Sequence, residues 1–297
     1  MDIMLPLTFA IIWASASVAT KWGLTAAAPL TLAWTRFAVA GILLAVGWRL
    51  SGRSVRPPTN CWGPLMLLGF LNTTLYLGTS YVALKVVPAG LFNLFVAANP
   101  FLVLLLSRLW LKSPLLWQQW SGLGIAVVGL GIGSWQSMTG QHAPLWGIGL
   151  ILTAMSSMAI GSVYFQRIRL PLPGTLINIW QLVFGATFLL PAALLANGSQ
   201  PIRWTIAWWG SLAWLIGAVS IGAMLLWFRL LRSGADRASL WLLLTPPIGY
   251  ILARIFLKER LTALDGIASL LVIAGLILAQ RSIKLPVKAV EANKSSP

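Results

Sequence analysis

Long apolar runs separated by short polar punctuation dominate this chain. Such runs cover roughly residues 4–21, 30–49, 62–84, 88–108, 116–135, 144–166, 175–196, 206–228, 237–257 and 262–280. Clusters of charge, Pro, Gly and Asn stand between them, as they do at turns and loops. About 20 apolar residues in a helix cross the ~30 Å of bilayer hydrocarbon, whereas a barrel strand needs only about 9–11. Hydrocarbon also offers the backbone no partner, so runs of this length must be helices that bond internally. The pattern predicts an all-α polytopic membrane protein with ten transmembrane helices.

Composition agrees and narrows the function. Of 297 residues, 58% are hydrophobic and 9% are charged, against about 25% charged in soluble domains. The net charge of +16 would suggest nucleic acid in a soluble protein. Here the Lys and Arg sit mostly at span ends, where they meet anionic lipid head groups, so the bilayer is the expected partner and nucleic acid is not. With the N-terminus inside, fourteen of them fall on the cytoplasmic side and six opposite, which places both termini in the cytoplasm. The first apolar run has no basic leader and opens a series of spans, so it reads as a true span. Cys61 is the only cysteine, and His142, the only histidine, lies in a Gln-His-Ala-Pro loop. No disulfide, metal cluster or cofactor is expected. The five acids, Asp2, Asp236, Glu259, Asp265 and Glu291, all miss the middle of a span, so no clustered acid–base set marks an enzyme.

An internal repeat organises the spans. Arg108-Leu-Trp-Leu-Lys112 and Arg254-Ile-Phe-Leu-Lys258 match at a shift of 146 residues. The same shift pairs Pro100 with Pro246, Gly129 with Gly275, Trp34 with Trp180 and Lys21 with Arg167. Each half holds five spans, an odd number, so the second half inserts upside down. Residues 1–137 form the first half and 142–281 the second, followed by a basic cytoplasmic tail over 282–297. Inverted repeats of this kind bind cargo near the bilayer midplane, between the halves.

The opening Ile12-Trp13-Ala14-Ser15-Ala16-Ser17, followed by Lys21-Trp22-Gly23-Leu24, resembles the first helix of EamA-type members of the drug/metabolite transporter superfamily. Tyr81 to Gly90 is similar to that family's third-to-fourth helix junction. Leu257-Lys258-Glu259-Arg260-Leu261 carries its glutamate, while Ser113 stands at the matching place in the first half. The resemblance covers nearly the whole chain. It implies export of amino acids, other metabolites or drugs across a bacterial inner membrane by alternating access. It also implies a central cavity lined by spans 1, 3, 4, 6, 8 and 9, with spans 5 and 10 outside.

Candidate site residues follow from helical spacing. Trp13, Ser17 and Thr20 share one face, as do Asn72 with Tyr76, and Trp241 with Thr245. With Asn93, Ser157, Tyr164, Trp180 and Trp227 they offer hydrogen bonds and aromatic walls to a small-molecule cargo, or glue between helices. Pro100 and the pair Pro246–Pro247 lie inside spans four and nine as candidate kinks that shape or gate the site. Arg36 and Lys85 are candidate anion contacts. Arg36 alone among the basic residues lies within a span, near enough to its start to snorkel instead. Trp22, Trp62, Trp110, Trp117, Trp204, Trp208 and Trp209 lie at span ends and read as interfacial anchors. The glycines of spans five and ten have small-xxx-small spacing for close helix contact. Without a midplane acid, the expected cargo is a neutral or zwitterionic metabolite such as an amino acid. The alternative is proton-driven export of lipophilic cations. The pattern leaves monomer and homodimer equally open.

Overall fold

The computed structural model describes residues 4–111, 116–140, 143–197, 201–231 and 241–281. The readings made of Ser113 and His142, of Asp2, Asp236 and Glu291, and of the basic tail fall outside these residues. The described residues form ten helical segments and no strand. These are α1 (Met4–Leu24), α2 (Pro29–Leu50), α3 (Trp62–Gly69, continued by Phe70–Leu75 and Tyr76–Leu84), α4 (Ala89–Leu111) and α5 (Trp117–Gly140). Then come α6 (Leu145–Ile168), α7 (Gly174–Asn197), α8 (Ile206–Ala213, continued by Trp214–Ala223 and Met224–Leu231), α9 (Thr245–Leu257) and α10 (Ala263–Arg281). Seven of them are long and apolar enough to cross a membrane. Helix α5 has the length, at 24 residues, but dilutes its apolar run with Gln118, Gln119, Ser121, Ser134 and Gln136. The apolar parts of α9 and α10 are shorter.

Span nine differs from the sequence expectation. Trp241–Leu244 forms a 3₁₀ turn, and the α-helix starts at Thr245 with a proline in its first positions. Pro246 and Pro247 therefore open a helix rather than kink one. The first turn of a helix has no intrahelical acceptor for its N–H groups, so a missing N–H costs little there. The Leu242 carbonyl is satisfied by the Thr245 hydroxyl. Pro100 does lie inside α4. Pro191, inside α7, was not singled out.

Helices α3 and α8 each contain a π-helical stretch, Phe70–Leu75 and Trp214–Ala223. Adding 146 to the first gives 216–221, inside the second. In α3, the Leu71 carbonyl accepts the Ser157 hydroxyl of α6 at 2.7 Å, and the Thr74 hydroxyl donates to the Gly185 carbonyl of α7 at 3.2 Å. Neighbouring helices thus supply partners where the regular ladder is disturbed.

Packing is densest at two flanks. Helix α2 lies along α7, and α5 lies antiparallel along α10. A β-carbon on Gly122 would collide with the Gly275 carbonyl, and one on Gly129 would come within 2.8 Å of the Ala268 carbonyl. The shift of 146 turns the first of these contacts into the second. Between the flanks, α4 packs against α6 and α9, α1 against α9 and α8, and α3 against α6 and α7. Most end-of-span tryptophans are exposed, Trp117 and Trp204 among them, but Trp208 is only 1% exposed. It is a core residue of the α2–α7–α8 cluster rather than an interfacial anchor.

The α5–α10 contact yields a direct test. Gly122→Val should destabilise the detergent-solubilised protein by about 1–3 kcal/mol through overpacking. Gly124→Val, with open space around its β-position, should leave the unfolding temperature within a degree or two. Equal shifts in thermal unfolding would contradict this packing.

Candidate functional site

A cavity of about 120 Å³ lies in the middle of the bundle, among α1, α2, α3, α4, α7 and α8. Helix α1 gives Trp13, Ala16, Ser17 and Thr20; α2 gives Arg36 and Phe37; α3 gives Tyr76, Leu77, Ser80, Tyr81 and Leu84. Helix α4 adds Phe92, Asn93 and Val96; α7 adds Asn178 and Leu182; α8 adds Val219, Ser220 and Met224. Helices α2 and α7 thus replace α6 and α9 in the expected lining. Both displaced helices are held too closely against α4 to leave space. Asn93 fills the room over Gly249 of α9, and Asn99 of α4 donates to the Met155 carbonyl of α6 at 2.8 Å. Two larger recesses, of about 710 and 640 Å³, are walled mostly by apolar flanks such as Val39, Leu43, Ile11 and Phe256. Their chemistry is that of a lipid tail.

The structure brings six of the sequence candidates to the cavity: Trp13, Ser17, Thr20, Arg36, Tyr76 and Asn93. Asn93 donates to the Ser17 hydroxyl at 2.8 Å and to the Ala14 carbonyl at 3.2 Å, tying α4 to α1. Arg36 does not snorkel. It is 6% exposed, and its guanidinium donates to the Tyr81 hydroxyl at 2.9 Å and to the Ser220 hydroxyl at 3.1 Å.

The other candidates lie outside the lining. Asn72 donates to the Gln181 side chain at 3.1 Å and packs on Gly161, while Ser157 bonds the Leu71 carbonyl. Trp180 donates to the Val55 carbonyl at 2.8 Å, pinning the α2–α3 loop, and packs with Tyr164 around Cys61 and Leu65. Trp227 stacks on Phe9 at 5.3 Å, and Phe9 in turn stacks on Trp13 at 5.7 Å. Thr245 is buried in the first turn of α9, behind the 3₁₀ turn that holds Trp241. Pro100 sits one turn beyond Val96, whose carbonyl it deprives of its helix partner. Lys85 is exposed at the end of α3. Tyr81, Ser80, Asn178 and Ser220 line the cavity without having been singled out.

An ionic clamp closes the end of the bundle that carries the α1–α2 and α3–α4 turns. Glu259 accepts from the backbone N–H groups of Ala89 and Gly90 at 2.9 and 3.3 Å, at the N-terminus of α4. Lys21 donates to Glu259 at 3.1 Å and to the Val87 carbonyl at 2.7 Å. A carboxylate is favoured at a helix N-terminus by the helix dipole and by free N–H donors. Glu259 is therefore engaged across the bundle. The clamp begins one residue beyond Thr20, a lining residue of the cavity. At the opposite end, Arg167 stacks over Trp110 at 4.8 Å.

The EamA-like transporter family matches the chain twice, over residues 1–134 and 145–280. This chain belongs to the EamA-like transporter family. Its relatives include the uncharacterized transporter YvbV of Bacillus subtilis, 29% identical over 96% of this chain and 91% of that protein. Protein PecM of Dickeya dadantii is 29% identical over 91% of this chain and 89% of its own length. A probable amino-acid metabolite efflux pump of Escherichia coli is 27% identical over 93% of this chain and 94% of that protein. One crystal structure superposes with a TM-score of 0.64 at 21% identity, covering 95% of this chain and 98% of its own. That likeness supports the helical fold. The EamA-like chain is thus a membrane transporter.

The cavity residues separate from the helix-contact residues by mutation. Trp13→Ala and Asn93→Ala should each lower substrate flux at least about tenfold at matched expression. Trp180→Ala and Trp241→Ala should change flux less than about threefold. Equal losses at all four positions would contradict this assignment.

Proposed function

We propose that this EamA-like transporter exports small metabolites across the bacterial inner membrane by alternating access. In this reading both termini are cytoplasmic, and cargo binds in the cavity among α1, α2, α3, α4, α7 and α8. The observation that carries the proposal is the cavity itself: a recess between six helices with aromatic walls and a few converging polar groups, next to an ionic clamp. At about 120 Å³ it suits a molecule of amino-acid size and lies below the ~300–1,000 Å³ of drug-sized sites. The Escherichia coli relative is a probable amino-acid metabolite efflux pump, which fits cargo of this class.

This reading takes residues 1–137 and 142–281 as an inverted repeat, the arrangement that alternating access uses. The two family matches fall on those halves. The Gly122–Gly275 and Gly129–Ala268 contacts, and the π-helical stretches of α3 and α8, are related by the same shift of 146 residues. The two halves differ at their mouths: Glu259 clamps one, while its counterpart position in the first half is Ser113. Export of lipophilic cations fits poorly, because a buried arginine in the cavity wall repels them.

Purified protein in liposomes should raise the flux of labelled small metabolites above that of protein-free vesicles, and Trp13→Ala should remove most of the gain. No protein-dependent flux across a broad panel of amino acids, organic acids and sugars would contradict the proposal. The clamp must also open during the cycle. Glu259→Gln should speed labelling of Thr20→Cys by a water-soluble thiol reagent severalfold, in a background carrying Cys61→Ser. Unchanged labelling would contradict a gating role.

A further inference from the structure

Arg36 stands in a part of the molecule where a lone cation is costly. It belongs to α2, is buried, and lines the central cavity. Its two described hydrogen bonds go to hydroxyls, Tyr81 and Ser220, and its guanidinium lies 5.2 Å from the ring centre of Phe37. All three partners are neutral. Arginine does not lose its proton in proteins, so it cannot escape the cost of burial by neutralising.

No carboxylate answers it among the described residues. Glu259 is engaged by Lys21 and the N-terminus of α4. Asp265 accepts from the Thr262 backbone N–H and hydroxyl at the start of α10, both at 2.9 Å. Neither acid lines the cavity. Buried charges in proteins are paired, and intramembrane ones mark substrate or ion paths. Among the described residues Arg36 thus has no counter-charge, which leaves its guanidinium open to an anionic ligand in the cavity.

We propose that the cargo is a small organic anion, a carboxylate on a flat apolar body, and that it crosses the membrane as a net negative charge. This rests on the transport reading above and departs from the neutral or zwitterionic cargo that the sequence suggested. Net charge decides between the classes. An anion bound at Arg36 brings the occupied cavity to zero, a zwitterion leaves it at +1, and a monovalent cation raises it to +2. Guanidinium and carboxylate also match as two parallel N–H···O bonds. Trp13, Tyr76 and Phe92 provide faces for the apolar body, and the cavity offers no acid to hold an ammonium group.

The same charge balance supplies the driving force. A cell interior is electrically negative, so a leaving anion runs downhill in the field. A membrane potential of ordinary size shifts the equilibrium ratio of a monovalent anion by about 50-fold. An exporter of this kind needs no acidic residue to couple cargo to protons, which fits the absence of acids from the cavity lining.

The test compares 3-phenylpropanoate, phenylalanine and 2-phenylethylammonium, three probes of similar body and different charge. Flux is measured in proteoliposomes at pH 8, with protein-free vesicles subtracted and the potential set by a potassium gradient with valinomycin. The anion should move at least tenfold faster than the other two, and reversing the potential should change its rate at least fivefold. Arg36→Gln should abolish that preference, while Arg36→Lys should keep part of it. Because Arg36→Gln can fail to fold, thermal unfolding is measured with each probe: the anion should stabilise the wild-type protein and not the glutamine variant. Flux of phenylalanine equal to that of the anion, or anion flux indifferent to potential, overturns the proposal and leaves the transport reading standing. Protein-dependent flux of none of the three, nor of the wider panel, overturns both.

Discussion

Hydrocarbon gives a polar group no partner, and this one constraint arranges the rest of the molecule. Ser and Thr hydroxyls inside the helices donate hydrogen bonds to carbonyls of the preceding turn, as at Thr35, Ser80 and Ser162. Where the ladder is disturbed, in the π-helical stretch of α3, the Leu71 carbonyl takes a hydroxyl from α6. Side-chain amides do the same between helices: Asn93 reaches α1, Asn99 reaches α6 and Asn72 reaches α7. Each such bond contributes modestly, about 0.6 kcal/mol on average in membranes. Their larger effect is to fix which helices can lie together and where a space is left.

That space is where the constraint is only partly met. Arg36 has hydroxyl partners and no counter-charge among the described residues, while the acid Glu259 is engaged at the bundle end. A structural arginine would be expected to pair with that kind of acid. Keeping the two apart gives the chain two separate devices, a positive cavity wall and an ionic clamp, on either side of Thr20. Each joins the two halves of the chain: Arg36 of α2 bonds Ser220 of α8, and Lys21 of α1 bonds Glu259 beyond α9.

Much of the fold was legible in the sequence, because span length and the 3.6-residue period are set by the bilayer and by α-helix geometry. The spans agree with the helices to within a few residues, except that the prolines of span nine start its helix. The cavity lining was legible where the helix is regular: Trp13 and Ser17 on α1, and Asn93 on α4, fall where their spacing predicts. It was misread where the helix is not. Asn72 and Tyr76 share a face only in an α-helix, and the wider turn of the π-helical stretch between them sends Asn72 to α7 and leaves Tyr76 in the cavity. Trp241 and Thr245 are parted in the same way by a 3₁₀-to-α junction. Ser220 lies in the second π-helical stretch, so periodicity could not find it. Tyr81 and Asn178 depend on how α3 and α7 rotate against their neighbours, which a single sequence does not encode locally.

The cavity around Arg36 is the proposed place where cargo binds. A crystal structure grown with 3-phenylpropanoate tests this most directly. The account predicts a carboxylate within hydrogen-bond distance of the Arg36 guanidinium, with the phenyl ring against Trp13 or Tyr76. Density for the ligand only in the apolar flanks beside Trp204 or Trp214, with nothing at Arg36, would contradict it.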